Sequence, residues 1–247
     1  MNPDWHVTEI GRGQVLQTAG RVRLVVPPTP ERLYSDAQIS DYAARRDFRR
    51  TPPLRLTITA RAEGGPIRGT AGFGFWNHPF APGERGLRLP RAAWFFFASP
   101  PNDMRLARDV PGFGWKCATL DAGRAAFLAL LPTAPVGFLL MRVPALYRRL
   151  WPVGQRALGI SEHALDPALL AENHTYSLDW RADGLTFRLD GATVHQTRHA
   201  PGGRLGFIAW IDNQYAVVTP QGRFGWGIVP VAREQSLVLE TVRLETL

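Results

Sequence analysis

The sequence predicts an all-β fold, a sandwich of two packed antiparallel sheets with one short helical insertion at about 122–170. Three observations carry this. Two glycine- and aromatic-rich runs, GTAGFGFWNHPF from Gly69 and RAAWFFFASPPNDM ending at Met104, flank a polar Gly/Pro/Glu/Arg connection, as in a hairpin within a sheet. Alternation in the second run puts Ala93, Phe95, Phe97 and Ser99 on one face and Trp94, Phe96 and Ala98 on the other. Both faces are apolar, as expected of a strand lying between two layers. The chain closes on QSLVLETVRLETL, so regular a strand that it is expected to pair near the first.

The elements follow in order. Trp5 to Glu9 and Arg21 to Val26 read as opening strands separated by GRG and AGR turns. YSDAQISDYAARRDF, from Tyr34 to Phe48, reads either as a polar loop or short helix over a sheet edge, or as a ligand-facing segment. Leu54 to Gly65 alternates over Leu54, Leu56, Ile58 and Ala60 and predicts a strand, as does Trp115 to Leu120 after a Pro-Gly-x-Gly turn. Thr175 to Trp180, Leu185 to Leu189 and Thr193 to Thr197, joined by RADG and DG turns, form a meander. RLGFIAWIDNQYAVV supplies a further strand.

The insertion is Ala/Leu-rich, and Pro132, Pro135, Pro144 and Pro152 are expected to cut it into short helices. Ala125 to Met141 is a run of 17 uncharged residues, short of the ~20 that span a bilayer. Either the helices cap one end of the sandwich, or they form a lid or a membrane-surface patch within 138–156. In the latter case Leu139, Leu140, Leu146, Leu150 and Trp151 would meet lipid while Arg142, Arg148, Arg149 and Arg156 stay wet.

Composition narrows the function. The 247 residues carry a net charge of +8, and Lys116 is the sole lysine among 29 basic residues, a bias that fits a GC-rich bacterial genome. The arginines are scattered along the chain and no nucleic-acid motif accompanies them, which disfavours a nucleic-acid partner. One cysteine, Cys117, excludes an internal disulfide, lacks a nearby His or Asn partner, and reads as a buried structural thiol of a reducing compartment. MNPDWHVTEIGRG has no apolar core of a signal peptide, so a cytoplasmic location is expected. No cofactor is predicted, no His/Cys/Asp/Glu spacing suggests a metal, and oligomeric state is not readable.

HTYSLDWRADGLTFRLDGATV resembles the late strands of the concanavalin A-like lectin/glucanase superfamily, in particular glycoside hydrolase family 16, and AGFGFWN and QSLVLETVRL resemble its strands before the catalytic strand and at the end. The resemblance spans roughly Leu54 to Leu247 and implies one jelly-roll domain over 1–247 with a concave, sugar-binding face. Many members of the superfamily also carry a structural calcium, whose ligands are not readable here. The family mounts Glu-x-Asp-x-Glu on the strand lining the cleft, because two carboxylates on one face serve as nucleophile and acid/base. The corresponding strand here is AAWFFFAS, without an acid, and Glu-x-Asp occurs nowhere in the chain. Retaining glycosidase chemistry by that motif is therefore not expected.

The candidate ligand-binding residues are accordingly the aromatics Trp76, Trp94, Phe95, Phe97 and Trp115, with the polar strand-end residues Asn77, Asn102, Asn213, Gln214 and Tyr215. The alternative for Phe95 to Phe97 is that they are simply core between the sheets. A carbohydrate or another hydrophobic small molecule is the expected ligand. The alternative is an enzyme with other chemistry on an apolar or glycosylated substrate, pairing His78 with Asp103 or Asp212 at the cleft rim.

Overall fold

The computed structural model describes residues 5–44, 47–79 and 88–247. Two seven-stranded sheets face each other, with a third of three short strands beside them. In chain order the strands are β1 (His6–Ile10), β2 (Gln14–Thr18), β3 (Arg21–Val26), β4 (Asp36–Ser40), β5 (Leu54–Glu63), β6 (Thr70–Trp76), β7 (Arg91–Ala98), β8 (Asp103–Met104) and β9 (Gly114–Asp121). Then come helices α1 (Ala125–Leu130), α2 (Ala134–Leu140) and α3 (Pro144–Ala157), followed by β10 (Ser161–Leu165), β11 (His174–Arg181), β12 (Gly184–Leu189), β13 (Ala192–Thr197), β14 (Gly206–Asp212), β15 (Gln214–Val218), β16 (Phe224–Ile228) and β17 (Gln235–Thr246). The first sheet runs β1-β4-β14-β6-β7-β9-β10 and the second β13-β12-β11-β5-β17-β3-β2.

The expected β6–β7 hairpin pairs in register from Thr70↔Ala98 to Trp76↔Ala92, at the middle of the first sheet; part of its connection lies outside the described residues. Its inward face, Ala71, Phe73, Phe75, Ala93 and Phe95, meets Tyr176, Leu178, Trp180 and Phe187 of the second sheet in one continuous core. Ring contacts cross the gap, with Phe95–Tyr176 at 5.1 Å and Phe75–Trp180 at 5.3 Å between centroids. The closing strand β17 pairs with β3 and β5, and a register shift between Leu239 and Thr241 keeps Leu237, Leu239 and Val242 all on the core side.

Three expectations are corrected. Asp36–Ser40 is neither loop nor helix but strand β4, paired on both sides, because Ala37 and Ile39 alternate into the core. The α-helices of the insertion end at Ala157, and one 3-10 turn, Pro167–Ala171, follows after a strand. Ser161–Leu165 returns to the first sheet as β10, and Pro152 lies inside α3 rather than ending it. Trp151 does not face outward: it is buried, donates its Nε1–H to the Leu106 carbonyl at 2.8 Å, and packs with Met141 and Ile160. To that extent the helices cap the β9 end of the sheet. No helix among the described residues is long and apolar enough to cross a membrane.

The sole lysine fastens that end. Lys116, on the outward face of β9, places Nζ 2.9 Å from Glu162 Oε1 and donates to the Met104 and Pro111 carbonyls at 3.1 and 3.2 Å. Both side chains of the pair are almost fully buried. Removing one partner leaves an uncompensated buried charge, which costs far more than the pair itself contributes. Lys116→Ala is expected to lose about 3–5 kcal/mol in urea unfolding at pH 7. Lys116→Met combined with Glu162→Leu is expected to recover most of that loss.

Candidate functional site

The outward face of the first sheet is the candidate site, and two glycines shape it. Gly72 lies opposite Trp210 on one side and Phe96 on the other; Gly74 lies opposite Ile208 and Trp94. A β-carbon on Gly72 would stand 3.0 Å from the Trp210 ring and 2.3 Å from the Phe95 carbonyl oxygen, so no larger residue fits. Strands β14 and β7 are separated by β6, hence about 10 Å apart. Their rings nevertheless meet over the glycines, with Phe96–Trp210 at 5.9 Å and Trp94–Trp210 at 5.7 Å. Trp76 extends the layer, parallel to Trp210 within 6° at 6.3 Å and 5.9 Å from Trp94.

The result is an aromatic floor on the outward face. Phe96 and Trp210 are covered, at 6% and 8% exposure, whereas Trp76 and Trp94 are only half-buried. At the Trp76 end a short polar chain begins. Trp76 Nε1–H donates to the Tyr42 hydroxyl, which lies 3.1 Å from His78 Nδ1, and the imidazole stacks on Trp76 at 4.7 Å. The hydroxyl carries one proton and two acceptor lone pairs, so it can accept from Trp76 and still exchange a hydrogen bond with either tautomer of His78. Tyr42 also lines a pocket of about 350 Å³ with Trp5, Asp41, Asp47, Arg49 and Arg50.

His78 is not brought to either aspartate. Thr70 lies opposite Asp212 and Trp76 opposite Gly206, so six residues of strand, about 20 Å, separate the two ends. Asp103 follows Ala98, which is opposite Thr70, and so belongs to the Asp212 end; its carboxylate is 3.6 Å from Arg105 Nε. Asp212 is saturated. Its Oδ1 accepts from the Thr70 N–H and hydroxyl and from the Gln214 N–H, and its Oδ2 accepts from the Gln214 amide at 2.8 Å.

The strand-end asparagines are fasteners. Asn77 clasps the base of the β6–β7 connection through the Leu89 carbonyl and the Arg91 N–H. Asn102 joins the Ser99 carbonyl to the Ala216 N–H, and Asn213 ties the Ser35 N–H to the Leu33 and Val229 carbonyls. Phe95 and Trp115 are corrected from ligand-facing to fully buried inter-sheet core, and Phe97 packs against that core, because their parity on β7 and β9 points inward. Tyr215 lies against Gly227 in the small sheet, away from the floor's four rings. Cys117 is buried and burial pushes its thiol up to about 12, which leaves an inert side chain.

The sequence reading missed Trp210, and it held Tyr42 and Asp36 only as members of a segment, Tyr34 to Phe48, that could face a ligand. Alternation through GFIAWID would have placed Trp210 opposite the inward Phe207, Ala209 and Ile211. Asp36 stands directly opposite Asp212 on the same face, and its Oδ1 is buried without a partner among the described residues. Burial first, and then the Asp212 charge, holds the Asp36 carboxyl well above its ordinary range; burial pushes Asp212 up to about 7 despite its hydrogen bonds. Among the described residues no group of three His, Cys, Asp or Glu side chains is placed to hold a metal.

No protein-family profile and no curated protein matches this sequence. Solved structures do. The chain is similar to a GlcNAcα1-4Gal-releasing endo-β-galactosidase from Clostridium perfringens, with TM-score 0.55 and 11% identity, over 99% of this chain and 62% of that one. It thus spans less than two thirds of that enzyme. The fold is the concanavalin A-like jelly roll. An immunostimulatory antigen and pseudo β-1,3-glucanase of Mycobacterium tuberculosis matches at TM-score 0.50 and 11% identity over 91% of this chain and 75% of its own. A legume lectin-like domain from Entamoeba histolytica matches at TM-score 0.50 and 8% identity over 98% and 90%. This jelly roll carries its outward aromatic layer at the centre of the sheet, where β7 runs.

The aspartate pair sets a pH dependence with a definite sign. Both carboxyls have folded values above the unfolded one, so between about pH 4 and 7 the folded protein binds more protons than the unfolded chain. The pair's contribution to stability is therefore present at about pH 4 and is lost as pH rises through 7. Asp36→Asn removes the like charge. It is expected to be more stable than the wild type at pH 8 by on the order of 1–3 kcal/mol and to match it near pH 4, as measured by urea unfolding across pH.

Proposed function

We propose that this jelly roll is a carbohydrate-binding protein that does not cleave its ligand by the two-carboxylate mechanism, and that the ligand lies on the half-buried rings of Trp76 and Trp94. One observation carries the reading. On β7, the outward positions 94, 96 and 98 hold Trp, Phe and Ala, and they form part of an aromatic layer. A sugar presents apolar C–H faces that stack on such rings, and the polar chain of Tyr42 and His78 stands at one end of them. No group on those three positions can protonate a leaving oxygen or attack an anomeric carbon. The carboxylates that the strands place on this face, Asp36, Asp212 and Glu162, are 4%, 2% and 9% exposed; Asp212 accepts four hydrogen bonds and Glu162 is paired with Lys116. A pseudo-glucanase among the similar structures supports a glucanase-like scaffold without the activity.

The reading is tested on a glycan array, followed by calorimetry with the best-bound oligosaccharide. Trp76→Ala and Trp94→Ala are each expected to weaken binding about tenfold, which corresponds to roughly 1.4 kcal/mol. The purified wild type is expected to release no reducing ends from that glycan. Absence of any bound glycan, unchanged affinity in both variants, or turnover of the glycan would each overturn the proposal.

A further inference from the structure

Away from the aromatic floor, the helical insertion exposes far more apolar surface than a solvated cap needs. None of the residues of α1 or α2 is buried. Leu128, Leu131, Val136, Leu139, Leu140, Val143, Leu150 and Val153 are all exposed, Val136 and Leu139 by 61% and 62%. The patch continues onto β16, where Phe138 of α2 meets Phe224 edge-on at 5.6 Å and Trp226 is 84% exposed. An exposed apolar surface that runs over three helices and a strand marks a docking face.

Its charge says what docks. Between Asp121 and Glu162 the chain has five arginines and no acidic residue, and between Asp212 and Glu234 it has Arg223 and Arg233 and again no acid. In α3 and the residue before it, Val143, Leu146, Leu150 and Val153 recur at three- and four-residue spacing and so share one stripe. Arg149 and Arg156, seven residues apart in α3, form the next stripe on the solvent side, and Arg142 is exposed in the turn before the helix. A second copy of this chain would bring like-charged stripes together, which disfavours a self-paired interface. From Ala125 to Val153 the polar side chains are few: Thr133, Tyr147 and the arginines. A protein partner normally finds a hydrogen bond for every 100–200 Å² of interface. Aliphatic side chains flanked by arginine, with a tryptophan at the margin, suit the interfacial region of a bilayer.

We infer that α1–α3 and β16 form a platform that docks this protein on an anionic lipid bilayer, with Val136, Leu139, Leu140, Leu150 and Trp226 entering the interface and the arginines meeting the headgroups. The platform lies at the surface and does not span. It reaches the candidate site through β16, since β15, the partner of β16, also pairs with β8, and Met104 of β8 packs against the Phe96–Trp210 cluster. Docking therefore holds the aromatic floor near the membrane surface.

The test is co-sedimentation with vesicles of phosphatidylcholine alone and of equal parts phosphatidylcholine and phosphatidylglycerol, at low and high salt, with no glycan present. The protein is expected to bind the anionic vesicles at least about tenfold better than the neutral ones, and less well as salt rises. Val136→Asn with Leu139→Asn, and Arg148→Glu with Arg149→Glu, are each expected to weaken that binding about tenfold; the positions are exposed, and unchanged thermal melting shows the variants fold. Trp76→Ala with Trp94→Ala is expected to leave vesicle binding intact, which separates this inference from the carbohydrate reading. Failure to bind anionic vesicles overturns it, as does binding unchanged by both platform variants. Conversion of a dimer to a monomer by Val136→Asn with Leu139→Asn, read by sedimentation velocity, would assign the face to a second copy and overturn it as well.

Discussion

A hairpin that is apolar on both faces has to be covered twice, and most of this structure follows from that requirement. Strands β6 and β7 bury Phe73, Phe75 and Phe95 against the second sheet on one side. Trp94 and Phe96 remain on the other, together with Trp76, and cannot be left to water without cost. Gly72 and Gly74 resolve this by leaving the β6 surface bare, so that rings from β14 and β7 close over it. The same glycines that complete the cover let rings from both neighbouring strands meet. A layer with two half-buried indoles is at once the solution of a packing problem and a surface on which a ring can stack.

The polar residues near this layer follow a second logic. An asparagine side chain offers one acceptor and two donor protons, which is what is needed where a strand ends and main-chain groups from different segments are left unpaired. Asn213 does this for residues 33, 35 and 229, and Asn102 for residues 99 and 216. Polar clusters at strand ends therefore carry two meanings in sequence, ligand contact and fastening, and only the partners tell them apart. Here buried asparagines serve the frame, while the polar chain from Trp76 through Tyr42 to His78 stands beside the half-buried rings.

Much of the frame was legible because period-two alternation is strong in β5, β11, β12 and β17, where one face is apolar and the other carries Arg, Thr or Glu. The site was less legible for the same physical reason. In AAWFFFAS both faces are apolar, so alternation separates Phe95 and Phe97 from Trp94 and Phe96 without saying which pair faces the second sheet. Strand β4 was hidden because its outward residues Asp36, Gln38 and Ser40 are polar yet buried, which makes DAQIS read as a loop. Trp210 was obscured in the long apolar stretch of β14, all seven residues of which are buried.

Charge shows the same difference between order in sequence and order in space. The arginines are scattered along the chain, but the folded protein sorts them. On the outer face of the second sheet Arg21, Arg23 and Arg61 interleave with Glu63, Glu234 and Glu240, and Arg55 and Arg188 flank Asp179, so that this face is close to neutral. These arginines hold Glu63 and Asp179 below the usual carboxylate range despite partial burial, as paired charges do. A face balanced in this way adds little to the net charge of +8. The helical insertion, with five arginines and no acid between Asp121 and Glu162, contributes most of it. A net charge states only that a partner of opposite sign is favoured; its placement beside exposed aliphatic side chains, rather than along a polar groove, determines what kind of surface that partner presents.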